Sequence, residues 1–401
     1  MKKERLGRRI FYGIFLFTMV FSAVYLALRR GKGLEVFVFD GGKNLFGDFI
    51  NNLHYPTHEG GPWFDSVWAT FPPLAYTFYW LFNVAFTRAV YPFEVFAYAV
   101  ITSFTCMLML YAIQRIFHNR MKRVFQPSEP LALAVCAMLS GVMIWTVERG
   151  NSVLNVMVML LWAFDLRDSR EAWKREAALL LIAVAANFKL YPAVFGVIYL
   201  LEKRWKEAIR LIIYGVVLFV VPFAWFSGVD GFKQFLYNQM SIHSTLRNDY
   251  LTSLPSAAGY LAAWFGWNGE AALKIGEILA LVLGAVLVAC TILDKRLWMR
   301  CLLITSCFTL VPGWSAEYMA IYMLLPLVLC WCDGGQDRWH VLYMALFGGV
   351  FVLLPFGVPF QTPAPLSWNM LISFASIYLI TLVGIVDVLT LRFGRRAGKA
   401  A

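Results

Sequence analysis

The chain has 401 residues, of which 60% are hydrophobic, 17% aromatic and 15% charged, and its mean hydropathy is +0.65. Soluble domains contain about 25% charged residues, so these values exclude a soluble enzyme and predict an all-α polytopic membrane protein, since only helices and closed barrels satisfy backbone groups in lipid. The net charge of +11 does not indicate nucleic-acid binding, because the basic residues form short clusters between apolar runs, as orientation signals and contacts with anionic membrane lipids do.

The N-terminal segment predicts a first span followed by a long external loop. The basic sequence MKKERLGRR orients the start of residues 10–28 to the cytoplasm, so the chain after this span lies outside. Because the apolar run is long enough to span and no small-residue cleavage site follows, we expect a retained signal anchor. The loop over residues 29–92 is rich in Gly, Asn, Asp, His and aromatic residues between 31 and 72. This composition is typical of an ordered loop that contains functional residues.

Residues 72–86, PPLAYTFYWLFNVAF, are predicted to form an interfacial helix within this loop rather than to cross the membrane. The run is short for a span, and Tyr and Trp rings are favoured at interfaces. A crossing here would place the basic HNRMKR motif at 118–123 outside, against the positive-inside rule. The side of every later loop depends on this assignment.

The remaining apolar runs predict about twelve transmembrane helices, some short or broken, with both termini in the cytoplasm and a single domain over residues 1–401. Residues 228–270 form a second external segment, with a possible interfacial helix near 253–266. The spans predicted after the first loop are 93–117, 131–147, 152–166, 177–201 (broken), 211–227, 271–293, 301–332 (broken), 341–356 and 369–390.

Residues 177–201 are almost entirely apolar but contain Asn187, Lys189, Tyr191 and Pro192 at their middle. A charge at the bilayer centre costs about 3 kcal/mol on insertion scales, and a proline cannot continue a helix cleanly. Basic clusters on both sides keep both ends cytoplasmic. We therefore expect two short helices that meet at a break near the external face, where Lys189 faces an anion such as a lipid phosphate. The alternative is a lysine that extends from a helix end to the interface.

Residues 301–332 repeat this pattern, with a break between Pro312 and Tyr318, but no internal sequence repeat accompanies it. The seven cysteines all lie in or beside apolar runs, so no disulfide framework is predicted. Cys330 and Cys332 are expected to be buried small side chains rather than a metal site.

Under this topology, polar residues from distant parts of the chain collect at the external face. They come from the first loop (Asp40, Asp48, His54, His58, Glu59, Asp65), from the turn after 131–147 (Glu148, Arg149, Asn151) and from the two breaks (Asn187, Lys189, Glu317, Tyr318). A carboxylate there can deprotonate a hydroxyl as a general base, and Arg and Lys can stabilise the charge on a leaving phosphate. The cytoplasmic loops contain no nucleotide-binding motif, which argues against an enzyme that uses soluble nucleotides on the inside. At the external face the leaving phosphate would belong to a lipid, since no other energy source reaches that face.

Five short motifs then occur in a recognisable order: Asp48-Phe49, Phe71-Pro72-Pro73-Leu74, Arg149-Gly150-Asn151, Lys189-Leu190-Tyr191-Pro192, and Pro312 to Tyr318. Each motif alone is weak, but their order and spacing over roughly residues 10–330 are fairly specific. The sequence resembles the integral-membrane glycosyltransferases of the C-type fold. Within them it is similar to glycosyltransferase family 87, the polyprenyl-phosphate-mannose-dependent mannosyltransferase type.

The resemblance implies that a sugar, mannose by family type, moves with inversion from a polyprenyl-phosphate donor to a lipid or glycan acceptor. The reaction would occur at the external or periplasmic face of the cell membrane. The resemblance also implies a catalytic carboxylate early in the first loop, where Asp48 matches best and Asp40 is the second choice. Arg149 and Lys189 match positions that hold the donor phosphate. The residues expected to line the sugar or lipid path are Asn151, Asn187, Tyr191, Trp314 and Tyr318.

Two features depart from the family pattern. Glu317-Tyr318 stands where the family often has His, which leaves the role of that segment open. No second acidic residue follows Asp48 directly, so the metal-binding acidic pairs of some relatives are absent. We therefore predict no metal and no cofactor, with the lipid-linked sugar as a substrate.

Other interpretations of these residues stay open. Asp48 after Gly47 suits a loop-capping carboxylate, Arg149 beside Glu148 suits an interfacial orienting charge, and the loop histidines suit hydrogen bonding better than metal ligation. A transporter or flippase of lipid-linked sugars would also use broken helices with a cation at the break, although its site belongs near the midplane. A polymer ligase or polymerase of envelope glycans would place its large loop late in the chain rather than first.

Overall fold

The structure, a computed structural model, describes residues 2–38, 44–87, 92–121, 125–245, 252–313, 315–333, 339–359, 362 and 366–400. Over this part of the chain it is helical, and its β-structure is limited to an isolated bridge between Gly357 and Ser367. The prediction of an all-α protein is therefore confirmed.

The helices follow the apolar runs of the sequence. In chain order they are α1 (Lys2–Leu28), α2 (Gly47–His54), α3 (Pro62–Asp65), α4 (Pro73–Phe82), α5 (Phe93–Arg120), α6 (Ser128–Met138), α7 (Gly141–Arg149), α8 (Val153–Leu166), α9 (Ala172–Phe188), α10 (Val197–Leu201), α11 (Trp205–Val220), α12 (Gly228–Thr245), α13 (Leu254–Phe265), α14 (Gly269–Leu293), α15 (Leu297–Leu310), α16 (Leu324–Cys332), α17 (His340–Val350) and α18 (Trp368–Ala400). Short 3₁₀ helices cover Leu34–Phe37, Tyr55–Thr57, Tyr191–Gly196, Val221–Trp225 and Glu317–Met323, and a π-helical turn covers Asn83–Thr87.

Some of these helices are long and apolar enough to cross a membrane. Five described helices meet this condition by length and composition, and the number becomes six if the bent pair α6 and α7 counts as one span. The five are Lys3–Leu28, Phe93–Arg120, Trp205–Trp225, Gly269–Leu293 and Trp368–Arg392. Shorter apolar helices accompany them, which is consistent with a multi-pass membrane protein, but the predicted count of about twelve spans is not confirmed.

The span predicted over 131–147 is not one continuous helix. Its two halves, α6 and α7, are bent by 59°. At the bend, the Ser140 hydroxyl donates to the Ala137 carbonyl at 2.7 Å and accepts from the Met143 N–H at 3.3 Å. A serine that bonds the backbone on both sides of itself competes with the helical ladder, which accounts for the bend.

The two predicted helix breaks are present. α9 ends at Phe188, Lys189 has extended backbone angles, and Pro192 occupies the first turn of the following 3₁₀ helix. α15 likewise ends at Leu310, and a 3₁₀ helix precedes α16. Both breaks leave polar side chains at the end of an apolar helix.

The chain forms two compact units. The first contains residues 1–38, 120–145 and 247–401. In it, α1 packs along α17, and α17 packs on α18. Small residues allow this close packing: a Cβ at Gly348 would lie 3.2 Å from Ile14 Cδ1, and a Cβ at Gly7 would lie 2.9 Å from Met344 Cγ.

The second unit contains residues 39–119 and 146–246 and includes most of the predicted site. α8 packs on α9, which also packs on α11 and α4, and α2 packs on α4. Ala178, Ala183 and Ala185 of α9 are fully or almost fully buried, so their small side chains let these helices approach closely. This packing brings the start of α2, the end of α7 and the end of α9 into one region.

Candidate active site

Asp48 is in the first turn of α2, where a helix N-terminus favours a negative charge. Contacts of Phe46 and Phe49, on either side of Asp48 in the sequence, hold this first turn in place. Phe46 has a left-handed backbone (φ 57°), and its N–H donates to the Glu148 carbonyl at 2.8 Å. Phe49 packs against Tyr98, Tyr79 and Phe82, with ring centroids 5.0 to 6.1 Å apart. The carboxylate of Asp48 therefore projects from a fixed helix end.

Both carboxylate oxygens of Asp48 accept hydrogen bonds from the turn after α7. Arg149 Nη2 donates to Oδ1, and Asn151 Nδ2 donates to Oδ2 at 2.6 Å. The side chains of Asp48 and Arg149 are 21% and 15% exposed, so the ion pair is partly shielded from solvent. The structure thus brings Asp48 together with two residues that lie about 100 positions later in the sequence, and the sequence predicted all three for one site.

Gly150 makes this arrangement possible. Its φ is +69°, a conformation that L side chains rarely adopt. A Cβ at this position would lie 2.9 Å from Phe49 Cβ and 3.0 Å from the Phe46 carbonyl oxygen. Only glycine lets the turn contact α2 so closely, and this contact allows residues 149 and 151 on either side to reach the same carboxylate.

Lys189 supplies a second positive charge beside Asp48. Its ammonium lies 3.7 Å from the centroid of the Phe71 ring, and it is close enough to Asp48 to interact with it electrostatically. Among the described residues Lys189 forms no ion pair. Two cations and one carboxylate give this part of the site an excess of positive charge, which suits an anionic ligand.

The Phe71 ring is held by its own loop. Trp63 Nε1 donates to the Phe71 carbonyl at 3.1 Å, and the Phe71 N–H donates to the Tyr76 hydroxyl at 3.4 Å. The neighbouring Tyr79 of α4 is buried, and burial, with a smaller contribution from the Asp48 carboxylate, raises its pKa, so the phenol stays protonated. The surface beside Lys189 is therefore aromatic and uncharged.

Asn238 is an important residue that the sequence did not indicate. It lies on α12, is fully buried, and its Nδ2 lies 2.9, 3.0 and 3.1 Å from the carbonyl oxygens of Trp63, Ser66 and Ala69. It thus holds the loop that ends at Phe71. Its position three residues after the buried Phe235 places it on the buried face of α12, and helical spacing could have identified it.

Asn187, another predicted lining residue, bonds to helix backbone rather than to Asp48. Asn187 is buried, and its Nδ2 donates to the carbonyls of Ala183 and Gly215, between α9 and α11. Tyr191 begins the 3₁₀ helix after the break, and Tyr318 is buried in the other compact unit. Trp314 and the alternative base Asp40 lie outside the described residues. Roles for these residues in substrate binding stay predictions.

The loop histidines form pairs rather than a metal site. His54 Nε2 lies 2.8 Å from Glu94 Oε1, and His58 Nε2 lies 2.9 Å from Asp65 Oδ1. Within the described ranges, no group of three or more His, Cys, Asp or Glu residues could hold a metal ion. That the enzyme needs no metal or cofactor stays a prediction.

A second polar cluster lies at the other end of α8 and α9. Arg167 is almost fully buried and contacts Glu202 and Asp168, and Arg204 contacts Asp168 and Glu207. α8 has 14 residues and is therefore about 20 Å long, so this basic cluster and the Asp48 site are well separated. The basic end coincides with the loops predicted to be cytoplasmic.

A model of glycosyltransferase family 87 matches residues 69–314, more than half of the chain. The chain belongs to glycosyltransferase family 87. The match includes Arg149, Asn151 and Lys189, and Asp48 lies before it but contacts two of these residues. No curated protein and no solved structure gives a significant match.

Membership of family 87 indicates a membrane glycosyltransferase, with a sugar donor and an acceptor as its substrates. The predicted family is therefore confirmed.

Proposed function

We propose that this family 87 protein moves a sugar, mannose by family type, from a polyprenyl-phosphate donor to a hydroxyl of a lipid or glycan. In this proposal the reaction takes place at the external face of the cell membrane, with inversion at the anomeric carbon. Asp48 is the general base, and Arg149 and Lys189 bind the donor phosphate. The observation that best supports this proposal is that the Asp48 carboxylate contacts Arg149 and lies close to Lys189.

The charges at the site suit a lipid phosphodiester. With Lys189 protonated, Asp48, Arg149 and Lys189 sum to one positive charge, and a sugar phosphodiester has one negative charge. Guanidinium binds phosphate oxygens through paired N–H donors, and the ammonium of Lys189 has no ion pair within the described chain to break first. The aromatic surface at Phe71 can contact apolar parts of the donor.

The chemical step follows from these roles. The acceptor hydroxyl gives its proton to Asp48 as its oxygen attacks the anomeric carbon. The bond between that carbon and the phosphate oxygen breaks, and the polyprenyl phosphate leaves with the electron pair. Arg149 and Lys189 stabilise the negative charge that develops on the leaving phosphate. Attack from the side opposite the phosphate inverts the configuration.

The test compares Asp48→Asn with the wild type in nanodiscs, using radiolabelled polyprenyl-phosphate sugars and a membrane-lipid extract as acceptor. Losing the general base should lower transfer by about 100-fold or more, while expression and unfolding temperature stay unchanged. The matched control is Asp65→Asn, which removes a carboxylate of the same loop that pairs with His58. This variant should transfer within about twofold of wild type.

Two outcomes would overturn the proposal. Transfer by Asp48→Asn at the wild-type rate would remove Asp48 from catalysis. Donor that binds equally well to both forms and is never consumed would favour a carrier of lipid-linked sugars, a function that also uses a cation at a helix break.

A further inference from the structure

Both carboxylate oxygens of the proposed base are occupied by contacts within the protein. Asp48 Oδ1 pairs with the guanidinium of Arg149, and Oδ2 accepts from Asn151. A carboxylate oxygen that accepts a hydrogen bond from a guanidinium or an amide is not available to accept a proton from a substrate hydroxyl. If Asp48 removes the acceptor proton, one of these two contacts has to change before the reaction.

The two contacts differ in how firmly they are held. Asn151 is buried, and its Oδ1 accepts from the Val153 N–H at 3.2 Å at the start of α8. This bond fixes the amide so that its NH₂ group faces Asp48. Arg149 has a long side chain with several rotatable bonds, so its guanidinium can change partner while the backbone stays in place. The contact at Oδ1 is therefore the one that can exchange.

A lipid phosphate would supply the new partner. Lys189 attracts an anion to the region beside Asp48. The phosphate oxygens there offer Arg149 a bidentate partner that competes with Asp48 Oδ1.

From this geometry we infer that donor binding activates the base: the donor phosphate takes Arg149 from Asp48, while Asn151 keeps the carboxylate in position through Oδ2. This inference rests on the proposed function and adds a role for Asn151, which becomes a positioning residue rather than a substrate contact. Oδ1 is then free to accept the acceptor proton, and Arg149 is already on the phosphate that leaves. Without donor, Asp48 stays paired.

The exchange makes a prediction about binding that does not depend on catalysis. The probe is farnesyl phosphate, a short lipid monophosphate, titrated into the detergent-solubilised full-length protein. If phosphate and Asp48 compete for Arg149, Asp48→Asn should bind the probe about fivefold tighter or more than the wild type. Arg149→Gln should bind it about tenfold more weakly.

A double-mutant cycle separates this exchange from a simple loss of negative charge. In the Arg149→Gln background, the exchange predicts that Asp48→Asn no longer tightens binding. Tightening of equal size in both backgrounds would overturn the inference, and so would equal or weaker binding by Asp48→Asn alone. Failure of every form to bind would instead overturn the lipid-phosphate donor of the proposed function.

The role of Asn151 has its own readouts. With Asn151→Ala, kcat should fall about tenfold or more because the carboxylate is no longer held in position, and the donor KM should change little. A raised donor KM with unchanged kcat would make Asn151 a substrate contact and overturn the inference. Wild-type values of both kcat and the donor KM in Asn151→Ala would also overturn the inference.

The substitution Asn151→Asp keeps the size of the side chain and an oxygen that accepts from the Val153 N–H. We therefore expect it to fold normally, so that an effect on activity is not a folding defect. Two adjacent carboxylates share a proton up to higher pH than one alone, so the acid limb of the pH–activity profile should move to higher pH. In the described part of the chain, the other titratable groups near enough to act on Asp48 are Arg149, Lys189, Tyr55, Tyr79 and Tyr98, and Glu148 precedes Arg149 in the chain. They are unchanged in this variant. An unmoved acid limb would show that Asn151 does not act through Asp48.

Discussion

Lys189 has a partly buried position and no carboxylate in contact with it among the described residues. Its ammonium instead lies on the Phe71 ring, a cation–π contact that stabilises the charge only partly. Such a cation is costly for folding. The presence of Lys189 at the break after α9 is best explained by an anionic ligand that pairs with its ammonium.

Replacing Lys189 with Met tests this explanation at the scale of one residue. Lys189→Met keeps the length of the side chain and its apolar contact with Phe71 but removes the charge. We expect kcat/KM for the donor to fall about 100-fold while the unfolding temperature stays the same or rises. Steady-state kinetics with a short-chain donor and thermal unfolding in detergent measure the two effects.

Lys174→Met is the matched control on the same helix. Lys174 is in the first turn of α9, at the opposite end, where it pairs with Glu171. Its loss should change transfer by no more than about twofold. If both variants transfer normally, Lys189 is an interfacial lysine and does not bind the donor.

The sequence predicted the helix break at Lys189 well and the Asp48 pairing only in part. A lysine and a proline inside an apolar run give a local pattern, because bilayer energetics act on each residue of a span. The bonds from Arg149 and Asn151 to Asp48 join positions 101 and 103 residues apart. No local pattern specifies such contacts; the family resemblance placed these residues at one site but did not show that Asn151 binds the base.

At the scale of elements, the turn between α7 and α8 decides whether the site forms. It has a single glycine with a left-handed backbone between two site residues, packed on the first turn of α2. A larger residue there would push the turn from α2 and separate Arg149 and Asn151 from Asp48.

Gly150→Ala should therefore lower stability and activity together. The left-handed backbone alone costs an alanine about 1 to 2 kcal/mol, and the added Cβ also clashes with Phe49 and Phe46. We expect a clear drop in unfolding temperature and a loss of transfer greater than the unfolded fraction explains. Thermal unfolding and transfer rate are measured on the same preparation.

Gly266→Ala separates the two causes. Gly266 has almost the same φ, +68°, at the end of α13, but a Cβ there meets nothing within 4 Å in the described part of the chain. Gly266→Ala should therefore lower the unfolding temperature through its left-handed backbone but leave the transfer rate of the folded protein unchanged. Equal effects of the two variants would mean that the contact with α2 is unimportant.

The elements themselves followed from the sequence where apolar runs were long. Apolar runs and the breaks within them placed α1, α5, α14 and the interrupted stretches near 189 and 312–318. The bend between α6 and α7 was missed because it depends on the hydroxyl of Ser140 bonding two backbone groups, and serine is common in straight helices.

At the scale of the whole molecule, the contacts at the site restrict how the chain crosses the membrane. Asp48 and Arg149 touch, so an even number of crossings separates them. α5 and the bent pair α6 and α7 supply two. α4 has 10 residues and is about 15 Å long, half the thickness of the hydrocarbon core, which is about 30 Å. With the bent pair counted as one span, this agrees with residues 72–86 at the interface, which stays a prediction.

Site-directed labelling tests which side the site faces. Glu59 is an exposed residue of the first loop, and Arg170 is exposed in the connection between α8 and α9, beside the basic cluster. The seven native cysteines are buried or half-buried, so new exposed thiols should react selectively. A membrane-impermeant maleimide should label Glu59→Cys in intact cells and Arg170→Cys only after permeabilisation, with the wild type unlabelled in both.

Each other pattern has a definite meaning, because three crossings separate the two positions if α4 stays at the interface and four if it crosses. With α6 and α7 counted as one span, labelling of both variants from the same side would show that α4 spans, against the contact between Asp48 and Arg149. The reverse pattern would place the site in the cytoplasm, within reach of soluble nucleotide sugars. The reason to propose a lipid-linked donor would then be lost, because that proposal depends on a face where no nucleotide sugar is available.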